Sequence, residues 1–218
     1  MKILPRDPPL WYTLTVMSHK VNPSFLERYF EFAIQTISTL DKKKISNFIN
    51  LIEKVRLNSG KLVIVGLGGS AANASHLVND FRKLCRVNAF CPTDNISEFS
   101  ARFNDENPKY IFNEWINTFG FGKEDAIIFL SVGGGSRKPS VSESLIELAN
   151  KSRNLGGTVM GILGRDGGEI AKLCHSSIII QIDQNATSLQ TPINESLQLL
   201  IGHSIVFDPR LKIAPAKW

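Results

Sequence analysis

Cysteine is scarce in this 218-residue chain: Cys85, Cys91 and Cys174 are odd in number and lack metal-type spacing. That excludes a disulfide-stapled secreted domain and a cysteine-held metal, and implies reduced thiols in a cytoplasmic setting. No apolar run approaches the length of a membrane span, so no membrane is expected as a partner. The stretch Leu10 to Met17 follows Lys2 and Arg6, but two prolines precede it and no small-residue cleavage pattern follows, which argues against a signal peptide. Clustered basic charge is missing too. The 25 Lys and Arg against 20 Asp and Glu give a net charge of +5, yet Lys42-Lys43-Lys44 is the only basic run. Nucleic acid is therefore not an expected partner; a mildly basic protein that handles a phosphorylated small molecule is the less demanding reading. There is no internal repeat and no low-complexity tract. With 43% apolar and 21% charged residues, the chain has the composition of one globular domain large enough to bury a core.

The pattern that remains divides at Val21. Residues 1–21 carry Pro5, Pro8 and Pro9 and no clear period, and read as an extended arm. Residues 22–218 read as a single domain that begins with a helical hairpin over 22–59. Ser24 and Glu27 have capping-box spacing, and Leu26, Phe30, Ala33, Ile37 and Leu40 recur at helical intervals. A second helix from about Lys43 carries Ile45, Phe48, Ile49, Ile52 and Val55 and stops near Gly60. Phe25, Tyr29, Phe30 and Phe32 occupy more than one face of the first helix, which suits packing on another subunit. From Lys61 onward strands at 62–65, 88–91, 126–131, 158–163 and 177–182 alternate with helices, of which 70–83, 140–152 and 192–206 are the clearest. This alternation predicts an α/β fold, a three-layer αβα sandwich around a mostly parallel sheet.

Chemistry concentrates after the first strand. Gly66, Gly68 and Gly69 form a glycine turn, Ser70 is placed to cap the next helix, and unpaired amides at that helix start suit a phosphate. His76 and Asp80 follow at i, i+4, on one helical face. Gly66 to Ala71 also fits the G-x-G-x-x-A dinucleotide fingerprint, with Asp94 as a ribose acid, so a nicotinamide enzyme is a competing reading. That reading leaves the loop from Ser131 to Ser136, also glycine-rich, without a task. Two hydroxyl-bearing glycine loops after separate strands suit one small phosphorylated ligand held from two sides. Arg165 and Asp166 read as fixing a turn, and His175 as a structural histidine.

The run Gly-x-Gly-Gly-Ser-x-x-Asn-Ala-x-His-x-x-x-Asp resembles the sugar isomerase (SIS) domain in its phosphoheptose isomerase branch. The resemblance covers about 24–206. It includes the paired N-terminal helices, the Arg165-Asp166-Gly167-Gly168 turn and a last helix with Glu195 and His203. It implies a flavodoxin-like sheet and isomerisation of sedoheptulose 7-phosphate to an aldoheptose 7-phosphate for heptose-containing surface glycans. A homotetramer with interfacial active sites and bound zinc is implied as well. Carried across, Asp80 and His203 are the catalytic pair, and His76, Asp80, Glu195 and His203 are metal ligands. Gly68, Gly69, Ser70, Asn104, Asp105, Ser131, Ser136 and Glu195 are implied to bind substrate.

Aldose–ketose isomerisation needs a base near a C–H bond, an acid near a carbonyl oxygen and stabilisation of developing negative charge. The implied set supplies all three, with zinc as a possible Lewis acid. Glu195 and His203 are eight positions apart, about 12 Å along one helix, so a shared ion needs help from geometry. Leu67 stands where the family has asparagine, and Val132 and Gly133 replace a serine-threonine-serine opening; Arg137-Lys138 is placed to restore phosphate affinity by charge. A non-catalytic SIS module that binds a protein is the alternative from another class.

Overall fold

The computed structural model describes residues 24–217, so the expected arm over 1–21 lies outside the described residues. Five strands, β1 Lys61–Val65, β2 Asn88–Phe90, β3 Ala126–Ser131, β4 Thr158–Gly164 and β5 Ser176–Ile180, form the central sheet. All its pairings are parallel, in the order β2-β1-β3-β4-β5, the flavodoxin-like arrangement. Alternation along each strand feeds two cores. Leu62 and Ile64 of β1 join Phe48, Ile52, Leu77, Phe81 and Ile201, while Val63 and Val65 join Phe112, Ile116, Phe129 and Leu145. Burial on both faces explains why β1 and β3 read as unbroken apolar runs.

Three helices cover the first face: α2 Lys42–Leu57, α3 Gly69–Cys85 and α8 Gln190–Val206. On the second face lie α5 Ile111–Phe119, α6 Glu143–Asn154 and α7 Gly168–Leu173. Helix α1, Phe25–Ser38, begins with the expected capping box: Ser24 Oγ accepts from the Glu27 N–H at 3.2 Å while the Glu27 carboxylate accepts from the Ser24 N–H. Asp41 caps α2 by accepting from the Lys43 and Lys44 amides, so the basic run is a helix start. Helix α4, Ile96–Asp105, buries no residue.

Two boundaries differ from expectation. Residues 136–137 and 140–141 pair as a small antiparallel ladder, and α6 starts only at Glu143. Helix α8 starts before Pro192, after a 3-10 turn over Gln184–Leu189; proline in a first turn has no needed N–H to lose. Among the described residues no helix is long and apolar enough to cross a membrane. The chain leaves β1 toward β2 on one side and returns to β3 on the other. The loops after β1 and β3 therefore diverge and open a crevice at the carboxyl edge.

Candidate active site

The first loop ends in Gly68, the α3 N-cap residue, at φ 59° and ψ −128°, a conformation that glycine adopts and other residues avoid. Ser70 does not cap the helix as expected. It lies inside the first turn, 2% exposed, because the cap position falls two residues earlier. Glu195 of α8 lies directly over Gly69, where a methyl group would collide with its carboxylate. A carboxylate at a helix N-terminus is favourably placed in the dipole field.

In the second loop Ser131 Oγ accepts from the Gly134 N–H at 3.0 Å. The carbonyls of Gly134 and Gly135 accept from the Ile170 and Glu169 amides at 2.9 and 3.1 Å, so the start of α7 holds this loop. Asp166 fixes its own turn, accepting from the Gly168 N–H at 3.0 Å. Between the loops lies a cavity of about 370 Å³ lined by Leu67, Ser70, Ser131, Gly133, Ser136, Val141, Arg165 and Glu195, among others. The ladder at 136–141 forms one wall. Arg137 does not line the cavity: its guanidinium donates to Glu147 at 3.0 Å. Lys138 does not line it either, so the structure does not bring the Arg137-Lys138 pair into the cavity.

Helices α3 and α8 lie side by side and run in the same direction. Asn73 Nδ2 donates to the Glu195 carbonyl at 2.7 Å and to Gln198 Oε1 at 3.2 Å, Leu77 packs on Gly202, and Cys85 Sγ donates to the Val206 carbonyl at 3.4 Å. That register brings residues far apart in the chain together. His76 Nε2 and His203 Nε2 are 3.1 Å apart, and each is 3.4 Å from Asp80 Oδ2. Asp80 Oδ1 accepts from Asn79 Nδ2 at 3.0 Å. The donor set suits zinc: a tetrahedral ion with ligand bonds of about 2.1 Å keeps its ligand atoms roughly 3.4 Å apart. Two imidazoles and a carboxylate already stand at close to that separation. A second cavity of about 450 Å³ opens beside Asp80 and His203, bordered by Lys83, Phe207 and Pro215.

Glu195 is not in this cluster. One continuous helix carries both Glu195 and His203, which keeps their backbones about 12 Å apart, and Glu195 faces the loop cavity instead. Asn104 and Asp105, bonded to each other at 2.8 Å at the end of α4, are exposed and line neither cavity. His175 is structural: its Nδ1 accepts from the Val159 N–H at 2.9 Å. Sequence reasoning missed Arg165 as a cavity residue. Its place in a turn after a strand was the available signal, because that is where such sheets bind ligands.

No protein-family model matches the chain. It is 33% identical over 156 residues to the lincomycin biosynthesis protein LmbN of Streptomyces lincolnensis, covering 67% of this chain but only 54% of that protein. It is 30% identical over 151 residues to the phosphoheptose isomerase of Nitratiruptor sp., covering 67% of this chain and 74% of that enzyme. The structure of phosphoheptose isomerase from Neisseria gonorrhoeae superposes with a TM-score of 0.70 at 22% identity, over 83% of this chain and 95% of that one. With the loop crevice, the parallel helix pair and an enzyme relative matched over most of its length, the chain belongs to the phosphoheptose isomerase family.

Proposed function

We propose that this chain interconverts sedoheptulose 7-phosphate and an aldoheptose 7-phosphate, in the cytoplasm, as a supply for heptose-containing surface glycans. The observation that carries the reading is the His76–Asp80–His203 triangle, built by the same two helices, α3 and α8, that line the loop cavity through Ser70 and Glu195. From Ser70 to His76 the helix advances roughly 9 Å. An extended seven-carbon sugar phosphate reaches roughly 8 Å from phosphorus to C2, by the bond geometry that gives an extended peptide about 3.5 Å per three bonds. A phosphate on the amides and hydroxyls of Ser70, Ser131 and Ser136 thus delivers C1 and C2 to the triangle, with Gly68 and Gly69 allowing close backbone approach. Glu195, which lines the loop cavity over Gly69, is suited to hydrogen-bond the sugar hydroxyls nearest the phosphate.

Asp80 takes a proton from C1, and His203 gives one to the oxygen on C2, forming a 1,2-enediol. Return of a proton to C2 and loss of the O1 proton complete the aldose. The oxygen Oδ1, steadied by Asn79, is the side of Asp80 left for proton transfer while Oδ2 faces the imidazoles. His76, Asp80 and His203 would hold zinc, and with His203 engaged through Nε2 the ion would supply the Lewis acid for the C2 oxygen in place of the imidazole proton. The exposed apolar face of α1 and the stranded Asn104-Asp105 pair favour a homotetramer in which α4 approaches a neighbour's site.

A scaffold has no use for a preassembled triangle of this kind, which favours an enzyme over a non-catalytic binding module. The test is zinc content per subunit and turnover of sedoheptulose 7-phosphate by wild type, His203→Ala and His76→Ala. Both variants should lose metal, and His203→Ala should lose about 10²- to 10⁴-fold in kcat. A wild-type protein loaded with zinc yet inert on ketose phosphates would defeat the proposal.

A further inference from the structure

The loop cavity has to accept a dianion, and its hydroxyls and amides carry no charge to match. Glu195, the one carboxylate among the lining residues, makes the balance worse. The basic residues nearest in sequence do not answer the need: neither Arg137 nor Lys138 lines the cavity, and Arg137 is engaged by Glu147. Arg165 does line the cavity, immediately after the last residue of β4, with its Cδ against Gly133 at the base of the second loop. Among the described residues its guanidinium has no hydrogen bond or ion pair, unlike Arg137, Arg153 and Arg210. Its backbone sits at φ 54°, a left-handed conformation that a side-chain-bearing residue adopts at a cost.

We infer that Arg165 is the phosphate-binding cation of this site, a role that rests on the sugar-phosphate reading above. A guanidinium offers paired donors in a planar fork that matches two phosphate oxygens, and its charge offsets both the dianion and Glu195. The strained backbone is consistent with a side chain held over the loop for a task. Arg165 also borders a larger cavity of about 740 Å³, but Asp166 and Asp183 line that side and make it the poorer seat for a phosphate. Positions 132 and 133 of the second loop are Val and Gly, so neither offers a hydroxyl to the phosphate. A cation reaching in from the end of β4 supplies by charge what those two positions do not supply by hydrogen bonds.

The experiment compares full-length wild type with Arg165→Met, Arg165→Lys and Arg165→Gly. Two readouts are used: calorimetric binding of inorganic phosphate at fixed ionic strength, and steady-state kinetics on sedoheptulose 7-phosphate. Arg165→Met should weaken phosphate binding and raise KM by about 10- to 100-fold, the range of one lost charge-assisted contact, while kcat changes less than about threefold. Arg165→Lys should recover part of the loss. Arg165→Gly relieves the left-handed backbone, so it keeps the fold testable if the methionine variant unfolds, and it should show the same loss. Equal phosphate affinity in wild type and the folded variants overturns the inference even where the enzyme turns over. If the wild type fails to isomerise while the phosphate difference persists, the isomerase reading fails and the role of Arg165 stands.

Discussion

Gly69 and Gly134 look alike in sequence, yet a methyl group would meet different neighbours at each. At Gly69 it meets the end of the Glu195 side chain, which can swing aside. At Gly134 it meets the Gly167 carbonyl, and the backbone is at φ 65° besides. Gly134→Ala should therefore destabilise the protein by about 3 kcal/mol, from a left-handed alanine plus a rigid clash. Gly69→Ala should cost less than about 1 kcal/mol and act on substrate affinity by displacing Glu195. Urea unfolding of the two variants separates them, and equal midpoints would refute the assignment. Glu195 shows where residue-level reading stops. Sequence put it on the right helix, and helical rise already raised a distance problem with His203. The helix expected over 192–206 is continuous through both residues, and the structure shows the outcome: the Glu195 carboxylate goes to the loop cavity and His203 to the triangle.

Helices and buried strands were legible because their periods are long enough to count. The capping box and the β3 run both fall where pattern put them. The ladder at 136–141 was not legible, since two-residue strands hold no period. Helix α1 is the element whose pattern asks for something beyond the chain. Leu26 (63% exposed), Phe30 (59%) and Ile34 (67%) recur at helical spacing on a face without a partner among the described residues. An apolar stripe of this kind suits a protein–protein contact, as the proposed homotetramer requires. Replacing all three with serine should shift the protein to a smaller species by sedimentation while far-ultraviolet circular dichroism stays native. An unchanged sedimentation coefficient would refute a subunit contact through α1.

At the scale of the whole molecule, periodicity could announce five strands and their crossovers but not which helices run beside each other. The parallel pairing of α3 with α8 builds the triangle, and it follows from where each crossover returns to the sheet. The same burial that joins these layers also sets a response to alkali. Burial pushes the Cys85 thiol up to about 11 and the Cys174 thiol up to about 12, with Arg56 and Arg153 respectively opposing the effect, against an ordinary value of 9.0. Above pH 9 the unfolded chain releases both protons while the folded chain keeps them, so the native state binds more protons and stability falls as pH rises. The slope is about 1.4 kcal/mol per pH unit for each thiol between pH 9 and the folded values. Urea midpoints at pH 8, 9.5 and 10.5 should thus fall more steeply for wild type than for Cys174→Ala, by the share of one thiol. Lysine and tyrosine titration is common to both proteins and cancels in the comparison. Parallel slopes would mean that the Cys174 thiol ionises as easily in the folded protein as in water, and that the packing of α7 against the sheet is looser than its burial implies.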